Sequence, residues 1–431
     1  MKRYDSYRPS GIDWIGDIPQ HWEVKRLRFV CEFRNGYTPS KANPDFWTNG
    51  TIPWYRMDDI RDTGRYLDEA KQYVTEEAVK GGGLFEAGSF ILATTATIGE
   101  HAMLIVDSLA NQRFTNLKIR KSLAQALNKE FFFYYLYVID DFCKSSTRTA
   151  TFPAMNMEDL RNFGVAIPPI EEQIKIVNYI DKKCGAIDKV IATHRRRVAL
   201  LGELKQSIIT QAVTRGLNPD ATFRPSGINW IGDVPQHWET SPLKYTGEFG
   251  NGLTFSPEDV CEDGIIVLRS QNIQDSKLDF FDNLFVKDCP EKLLVKPNDI
   301  IICSRNGSVN LVGKCAKVTS SIVATFGAFM MRYRPNINSS FAFYLFQSAY
   351  KEYRGLFATT TINQLTKDSI NQMYVTIPPL SEQEAIAEYL DKKCATIDKS
   401  IAKAEREIEL LTELKQSIIS EAVTGKIKVT D

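Results

Sequence analysis

The chain has 431 residues, with 53 basic and 53 acidic side chains and a hydrophobic share of 43%. That is globular composition with room for two or three domains, and a net charge of zero gives no general electrostatic pull toward a polyanion. No apolar run is long enough to cross a bilayer, and the polar start MKRYDSYRPSG is not a signal peptide, so a cytoplasmic protein is expected. The eight cysteines lack CxxC spacing and read as free thiols rather than disulfides or a zinc site.

The chain opens on a leader, Tyr7 to Gly36, and a closely similar leader returns at Phe223 to Gly252. The chain is therefore an internal duplication. Each leader carries two tryptophans, Trp14 and Trp22 or Trp230 and Trp238, and reads as a turn-rich segment that docks its aromatics and then enters a strand. His21 and His237 stand in matching PQHW tetrapeptides. With no second histidine nearby, they read as structural or surface residues rather than metal ligands.

The first variable region runs from about Tyr37 to Ala166. Strands are predicted at Thr51–Tyr55, Ser89–Ala93, Ala102–Val106 and Asn116–Ile119, with a helix at Lys129–Phe142. Thr75–Lys80 looks helical, and Gly81-Gly82-Gly83 reads as its flexible exit. The second variable region, about Leu253 to Thr376, repeats this order, with strands near Ile265–Leu268, Asp299–Cys303 and Phe329–Tyr333 and a helix at Ser340–Arg354. Each is a small α+β module. Each ends at a Pro-Pro pair, Pro168-Pro169 or Pro378-Pro379, which cannot continue a helix but starts one well.

A long helix is predicted after each pair, Ile170 to Thr214 and Leu380 to Thr424. In the first, Ile180, Ile187, His194, Leu201 and Ile208 share one heptad position, and Val177, Cys184, Ile191 and Val198 share the other. The second repeats this with Leu390, Ile397, Ala404, Leu411 and Ile418 beside Ala387, Cys394, Ile401 and Ile408. A sustained seven-residue repeat is a coiled-coil seam, and a rod of roughly 65 Å needs a partner helix. The nearest partner is the other copy; the alternative is two amphipathic helices, each packed on its own module. An antiparallel pair would return the C-terminus to the first leader and relate the modules by pseudo-two-fold symmetry.

Catalytic motifs are missing. Gly307 to Cys315 resembles a phosphate loop, but the glycine spacing is one residue too long and Cys315 stands where Ser or Thr is required, so a hairpin loop is expected. There is no GxGxxG after a strand, no HExxH, and no Asn-Pro-Pro-aromatic tetrapeptide of the kind amino-methyltransferases use. No catalytic residue, cofactor site or metal site is assigned.

The loops do carry side chains suited to base edges and phosphates. In the first module the candidates are Thr38, Ser40, Lys41, Arg56, Thr94, Thr95, Thr97, Gln112, Arg113, Arg148, Thr149 and Thr151. In the second they are Arg269, Gln271, Asn272, Ser304, Arg305, Asn306, Ser308, Thr359, Thr361 and Asn363. Arg bridges guanine, Asn and Gln bridge adenine, and hydroxyls hold phosphates. The pairing strengthens the reading: Arg56 and Arg269 each follow a short early strand, Thr94–Thr97 and Ser304–Ser308 each follow the next buried one, and Thr149–Thr151 and Thr359–Thr361 each precede a long helix.

This layout resembles the specificity subunit of type I restriction-modification systems over nearly the whole chain. The likeness rests on the duplicated IPQHWE and VPQHWE leaders, on Ile167-Pro-Pro-Ile-Glu-Glu-Gln173 and Ile377-Pro-Pro-Leu-Ser-Glu-Gln383, on the repeated ELKQSII, and on Gly36-x-Thr-Pro-Ser40 before Ile52-Pro-Trp54. The resemblance implies an α+β fold of two target recognition domains separated by two antiparallel helices forming a coiled coil. The leader and first recognition domain would span 1–166, the first helix 167–217, the second leader and domain 218–376, and the second helix 377–431. It implies a non-catalytic subunit that reads double-stranded DNA, each domain taking half of a bipartite, asymmetric site. The partners would be two methyltransferase subunits and restriction/translocase subunits, with no membrane. S-adenosylmethionine, ATP and Mg would sit on those partners, and this chain would bind none of them. Partner subunits would also supply some of the positive charge that this neutral chain lacks. The competing readings are a self-contained DNA enzyme, which requires metal-dependent cleavage by the chain alone, and a coiled-coil scaffold, which requires no sequence-selective retention of DNA.

Overall fold

A computed structural model describes residues 3–12, 14–146, 154–357 and 364–429. The two Pro-Pro pairs act as expected. Helix starts at the residue after each, giving Ile170–Arg215 and Leu380–Val423. By compactness the chain forms two units, Met1–His194 with Arg406–Asp431, and Arg195–Glu405, so each long helix contributes to both.

In the first unit the opening of the first long helix lies antiparallel to the end of the second. Asp188 meets Lys415 at 2.8 Å and His194 meets Glu407 at 3.3 Å, one number rising as the other falls. Ile176, Val177, Ile180 and Cys184 join Ile419, Ala422, Val423 and Ile427 in the unit's main core. In the second unit Lys205 bonds Asp398 at 2.6 Å, and Ile209, Ala212 and Val213 share a core with Ile386, Ala387, Leu390 and Cys394. Each fully buried aliphatic side chain is worth about 1.5–3 kcal/mol, whereas such partly exposed ion pairs are worth about 0–1 kcal/mol. Apolar burial therefore holds the helices together and the ion pairs set their register. Burial pushes the Cys184 thiol up to about 11, so it packs as a small hydrophobe. All eight cysteines are free thiols.

The motifs at the start of the long helices act as a structural lock, built twice. Gln173 is buried; its Oε1 accepts the Asn128 N–H at 2.7 Å and its Nε2 donates to the Pro168 carbonyl at 2.8 Å. Gln383 does the same with Asn338 at 2.9 Å and Pro378 at 2.8 Å. The preceding glutamates hold the leader histidines: Glu172 lies 2.7 Å from His21, and Glu382 lies 2.6 Å from His237. Each leader begins with a short hairpin, Tyr7–Pro9 with Asp17–Pro19 or Phe223–Pro225 with Asp233–Pro235. A further strand, Glu23–Arg26 or Glu239–Pro242, then pairs with the last strand of the module, Gly164–Ile167 or Tyr374–Ile377. Each long helix ends at a glycine of positive φ that packs on a leader tryptophan, Gly216 against Trp238 and Gly425 against Trp22. Tyr7 Oη also donates to the Gly425 carbonyl at 3.3 Å, so the end of the second helix does return to the first leader.

Both modules share one plan. In the first, a five-stranded sheet runs Cys31–Asn35, Phe114–Ile119, Phe90–Ala93, His101–Leu104, Tyr66–Leu67, and a smaller sheet places Ile52–Tyr55 between Leu109–Ala110 and Tyr73–Val74. In the second, Gly247–Asn251, Met330–Pro335, Ile300–Cys303 and Cys315–Lys317 form one sheet, and Ile265–Leu268 lies between Phe285–Val286 and Ala324–Phe326 in the other. A mostly buried aromatic helix, Lys129–Ser146 or Ser339–Phe357, packs on each main sheet. The phosphate-loop look-alike lies on the link between the antiparallel strands Ile300–Cys303 and Cys315–Lys317, as a hairpin loop should. Thr75–Lys80 forms only a short 3-10 turn, Glu76–Ala78, and the carbonyls of Gly82 and Gly83 are held by Arg34 rather than loose. The sequence reading did not separate the strands Cys31–Asn35 and Gly247–Asn251.

Candidate nucleic-acid interface

In the second module the parallel strands Ile265–Leu268 and Ala324–Phe326 end side by side. Four connections turn around that end, tied by backbone hydrogen bonds. Gly327 N–H donates to Leu268 at 3.0 Å, Leu253 N–H to Phe326 at 2.7 Å, Met330 N–H to Gly327 at 2.8 Å, and Ser304 N–H to Phe329 at 2.9 Å. Gly252 permits this closeness, since a Cβ there would lie 2.1 Å from the Gly327 oxygen. The result is a half-open cleft of about 840 Å³.

The first module repeats the frame bond for bond. Asn111 N–H donates to Tyr55 at 3.0 Å, Tyr37 N–H to Ala110 at 2.8 Å, Phe114 N–H to Asn111 at 3.1 Å, and Thr94 N–H to Arg113 at 2.9 Å. Gly36 plays the role of Gly252, with the Asn111 oxygen 2.1 Å from where a Cβ would stand. Arg56 and Arg269 occupy one position, each capping a helical turn. The Arg56 N–H donates to Asp59 at 2.7 Å and the Arg269 N–H to Asn272 at 2.9 Å.

Of the residues proposed from sequence, Arg269, Gln271, Arg305 and Asn306 converge on the second cleft from positions far apart in the chain. Asp282 reaches Arg269 at 3.7 Å and accepts a hydrogen bond from Gln271, while the Arg305 guanidinium lies over the Phe329 ring at 5.2 Å. Ser308 is exposed on the following turn, its N–H donating to Asn306 at 3.0 Å. In the first module, Ser40, Lys41, Gln112 and Arg113 are exposed, and the Thr38 hydroxyl bonds Gln112. The Arg56 guanidinium lies 3.3 Å from Asp58. Thr95 and Thr97 are half-buried on a turn through Ala96, whose φ is +65°.

Three candidates lie inside and hold the frame rather than face outward. Thr94 is buried with its hydroxyl 3.0 Å from that of Thr115. Ser304 is buried at the matching position, and Asn272 is buried with its amide donating to the Asp279 carbonyl at 3.0 Å. Arg148, Thr149, Thr151, Thr359, Thr361 and Asn363 lie outside the described residues.

The sequence reading missed Thr254, Phe255, Ala328 and Phe329, all of which line the second cleft. Gly252-x-Thr254-x-Ser256 repeats Gly36-x-Thr38-x-Ser40 and could have located the first two. No motif marks the others. Guanidinium, amide and aromatic groups in one cleft suit the edges of planar rings and phosphate oxygens. Their chemistry is that of recognition.

A duplicated α+β fold whose halves repeat one backbone frame with different side chains defines a two-headed binding protein. The chain belongs to the Type I restriction modification DNA specificity domain family, whose sequence model matches residues 19–193 and 235–410, well over half its length. It is 40% identical over 182 residues to the EcoprrI type I restriction enzyme specificity subunit of Escherichia coli, a match covering 40% of this chain and 45% of that one. It is 24% identical over 435 residues to the MjaVIII specificity subunit of Methanocaldococcus jannaschii, covering 96% of this chain and 94% of the relative. Among solved structures, a chain from work on assembly and conformational transition of the type I R-M system shares the fold, with a TM-score of 0.65 at 17% identity, over 95% of this chain and 99% of that one. The chain is thus a DNA specificity subunit and not itself catalytic. Among the described residues, no helix is long and apolar enough to cross a membrane.

Proposed function

We propose that this chain selects the DNA sequence on which a type I restriction-modification complex acts, each module reading one half of a bipartite, asymmetric site. The observation that carries this is the loop frame built twice on one set of backbone hydrogen bonds but furnished differently, with Gln112 and Arg113 in the first module and Ala328 and Phe329 in the second. Two equal readers would favour a repeated or palindromic target; two unlike readers favour unlike halves. The antiparallel long helices act as the ruler between them. Two methyltransferase subunits and restriction/translocase subunits assemble on this chain in the cytoplasm. S-adenosylmethionine, ATP and Mg are held by those partners, and the chemistry happens there.

The test is to present the complex with methyltransferase subunits to a random-sequence DNA pool. Two unlike half-sites at one spacing support the proposal. Metal-dependent cleavage by the purified chain alone would favour a self-contained enzyme, and no selective retention would favour a scaffold. Arg305→Ala is expected to relax one half-site by about 1–3 kcal/mol if it reads a base. A uniform loss on all sequences would make it a phosphate contact instead.

A further inference from the structure

The duplication supplies an internal control. Because the backbone bonds match, each loop residue of one module has a definite counterpart in the other. Arg56 matches Arg269 and Thr38 matches Thr254, the same residue type twice. By contrast Arg113 matches Phe329, Gln112 matches Ala328, and Thr95 matches Arg305. Thr95 and Arg305 are confirmed as equivalents by their isolated bridges, to Ala154 and Gln364. Shared side chains suit what all DNA offers, its phosphates; divergent side chains suit what differs, its bases.

We propose that Phe329 is a specificity-determining contact of the second module and that it meets the C5-methyl group of a thymine in the major groove. The assignment rests on the two-part DNA reading above. Phe329 is 59% exposed, although the strand that follows it is buried. Its position is nonetheless well defined. Its carbonyl accepts N–H groups from Ser304 at 2.9 Å and Arg305 at 3.1 Å, and its ring lies under the Arg305 guanidinium at 5.2 Å. An aromatic ring held in place yet left in water gains only when a partner covers it. Ala328 and Phe255 extend the apolar surface beside it, while Arg269, Gln271 and Asn306 supply hydrogen-bonding groups to the same cleft. Of the groups on base edges in the major groove, the thymine methyl is the apolar one. In the first module Arg113 occupies this position, so the base opposite it is read by hydrogen bonds instead.

The experiment uses the complex with its methyltransferase subunits and the duplex recovered from the random pool. Each thymine of the half-site whose selection Phe329→Ala relaxes is replaced in turn by deoxyuridine, which removes only the methyl group. One replacement is expected to weaken binding about three- to fivefold, the value of one buried methyl. Phe329→Ala should weaken binding to the thymine duplex about as much and become indifferent to that replacement, whereas Phe329→Leu should keep the sensitivity. A half-site without a T·A pair, no effect of any replacement, or an effect that persists in Phe329→Ala would overturn the assignment while leaving the two-part reading intact. If the complex selects no sequence, the two-part reading falls and this assignment falls with it.

Discussion

Gln173 shows how much can depend on one amide. It is buried, accepts from Asn128, and donates at 2.8 Å to both Ala126 and Pro168. Gln173→Ala leaves those three groups unpaired, and at about 1–3 kcal/mol for each buried unsatisfied group the loss in urea unfolding is expected to be at least about 3 kcal/mol. His21→Ala removes a contact with Glu172 at a half-exposed site and should cost under about 1 kcal/mol. Equal losses would mean that the lock lies elsewhere. His101 supplies a pH signature. It is fully buried, 2.6 Å from Asp140 and 2.7 Å from Arg65, and burial outweighs the carboxylate's attraction, pulling the imidazole below its ordinary 6.5. A depressed folded value means the unfolded chain binds the proton more readily. The contribution is therefore complete above about pH 6.5 and is lost as pH falls through the folded value. Unfolding midpoints are expected to drop on acidification below that point, and His101→Gln should flatten this part of the profile. A slope unchanged in the variant would assign it to another group.

At the scale of elements, the strongest periodic signals were the best guides. Both long helices begin where the Pro-Pro pairs place them and end within a residue of the reading, because a heptad repeat is local and self-consistent. The seam positions Ile180, Cys184, Ile191, Leu390, Cys394 and Ala404 are buried. Ile180→Ala is expected to cost about 2–5 kcal/mol, and Leu200→Ala, which is 53% exposed and off the seam, under about 0.5 kcal/mol. Thermal unfolding of the two variants separates them, and a reversed order would contradict the seam. The strand Cys31–Asn35 was harder to see because its partner, Phe114–Ile119, lies far along the chain and its own residues do not alternate cleanly. The candidate interface was half legible. Arg269 and Arg305 stood out as chemistry, but the burial of Thr94, Ser304 and Asn272 depends on neighbours no local pattern names. Sequence pattern alone starts the strand at Phe329, which instead sits on the turn before it.

For the molecule as a whole, the two modules and the long helices make separable predictions. Gly252→Ala forces a methyl group toward the Gly327 carbonyl, so it should abolish selectivity at one half-site and spare the other. Selection by the variant complex from random DNA would show this, and loss of both half-sites would mean the modules do not read independently. The ruler is tested near the junction of the first long helix and the second leader, Thr214 to Asn218. Inserting heptad-scale segments there should alter the spacer and leave the bases unchanged, and altered base preference would refute it. The most direct measurement is the selection itself, made with the native chain and its methyltransferase subunits. Two different short sequences separated by one constant spacer are expected. A palindrome, a single uninterrupted site, or no enrichment at all would contradict it.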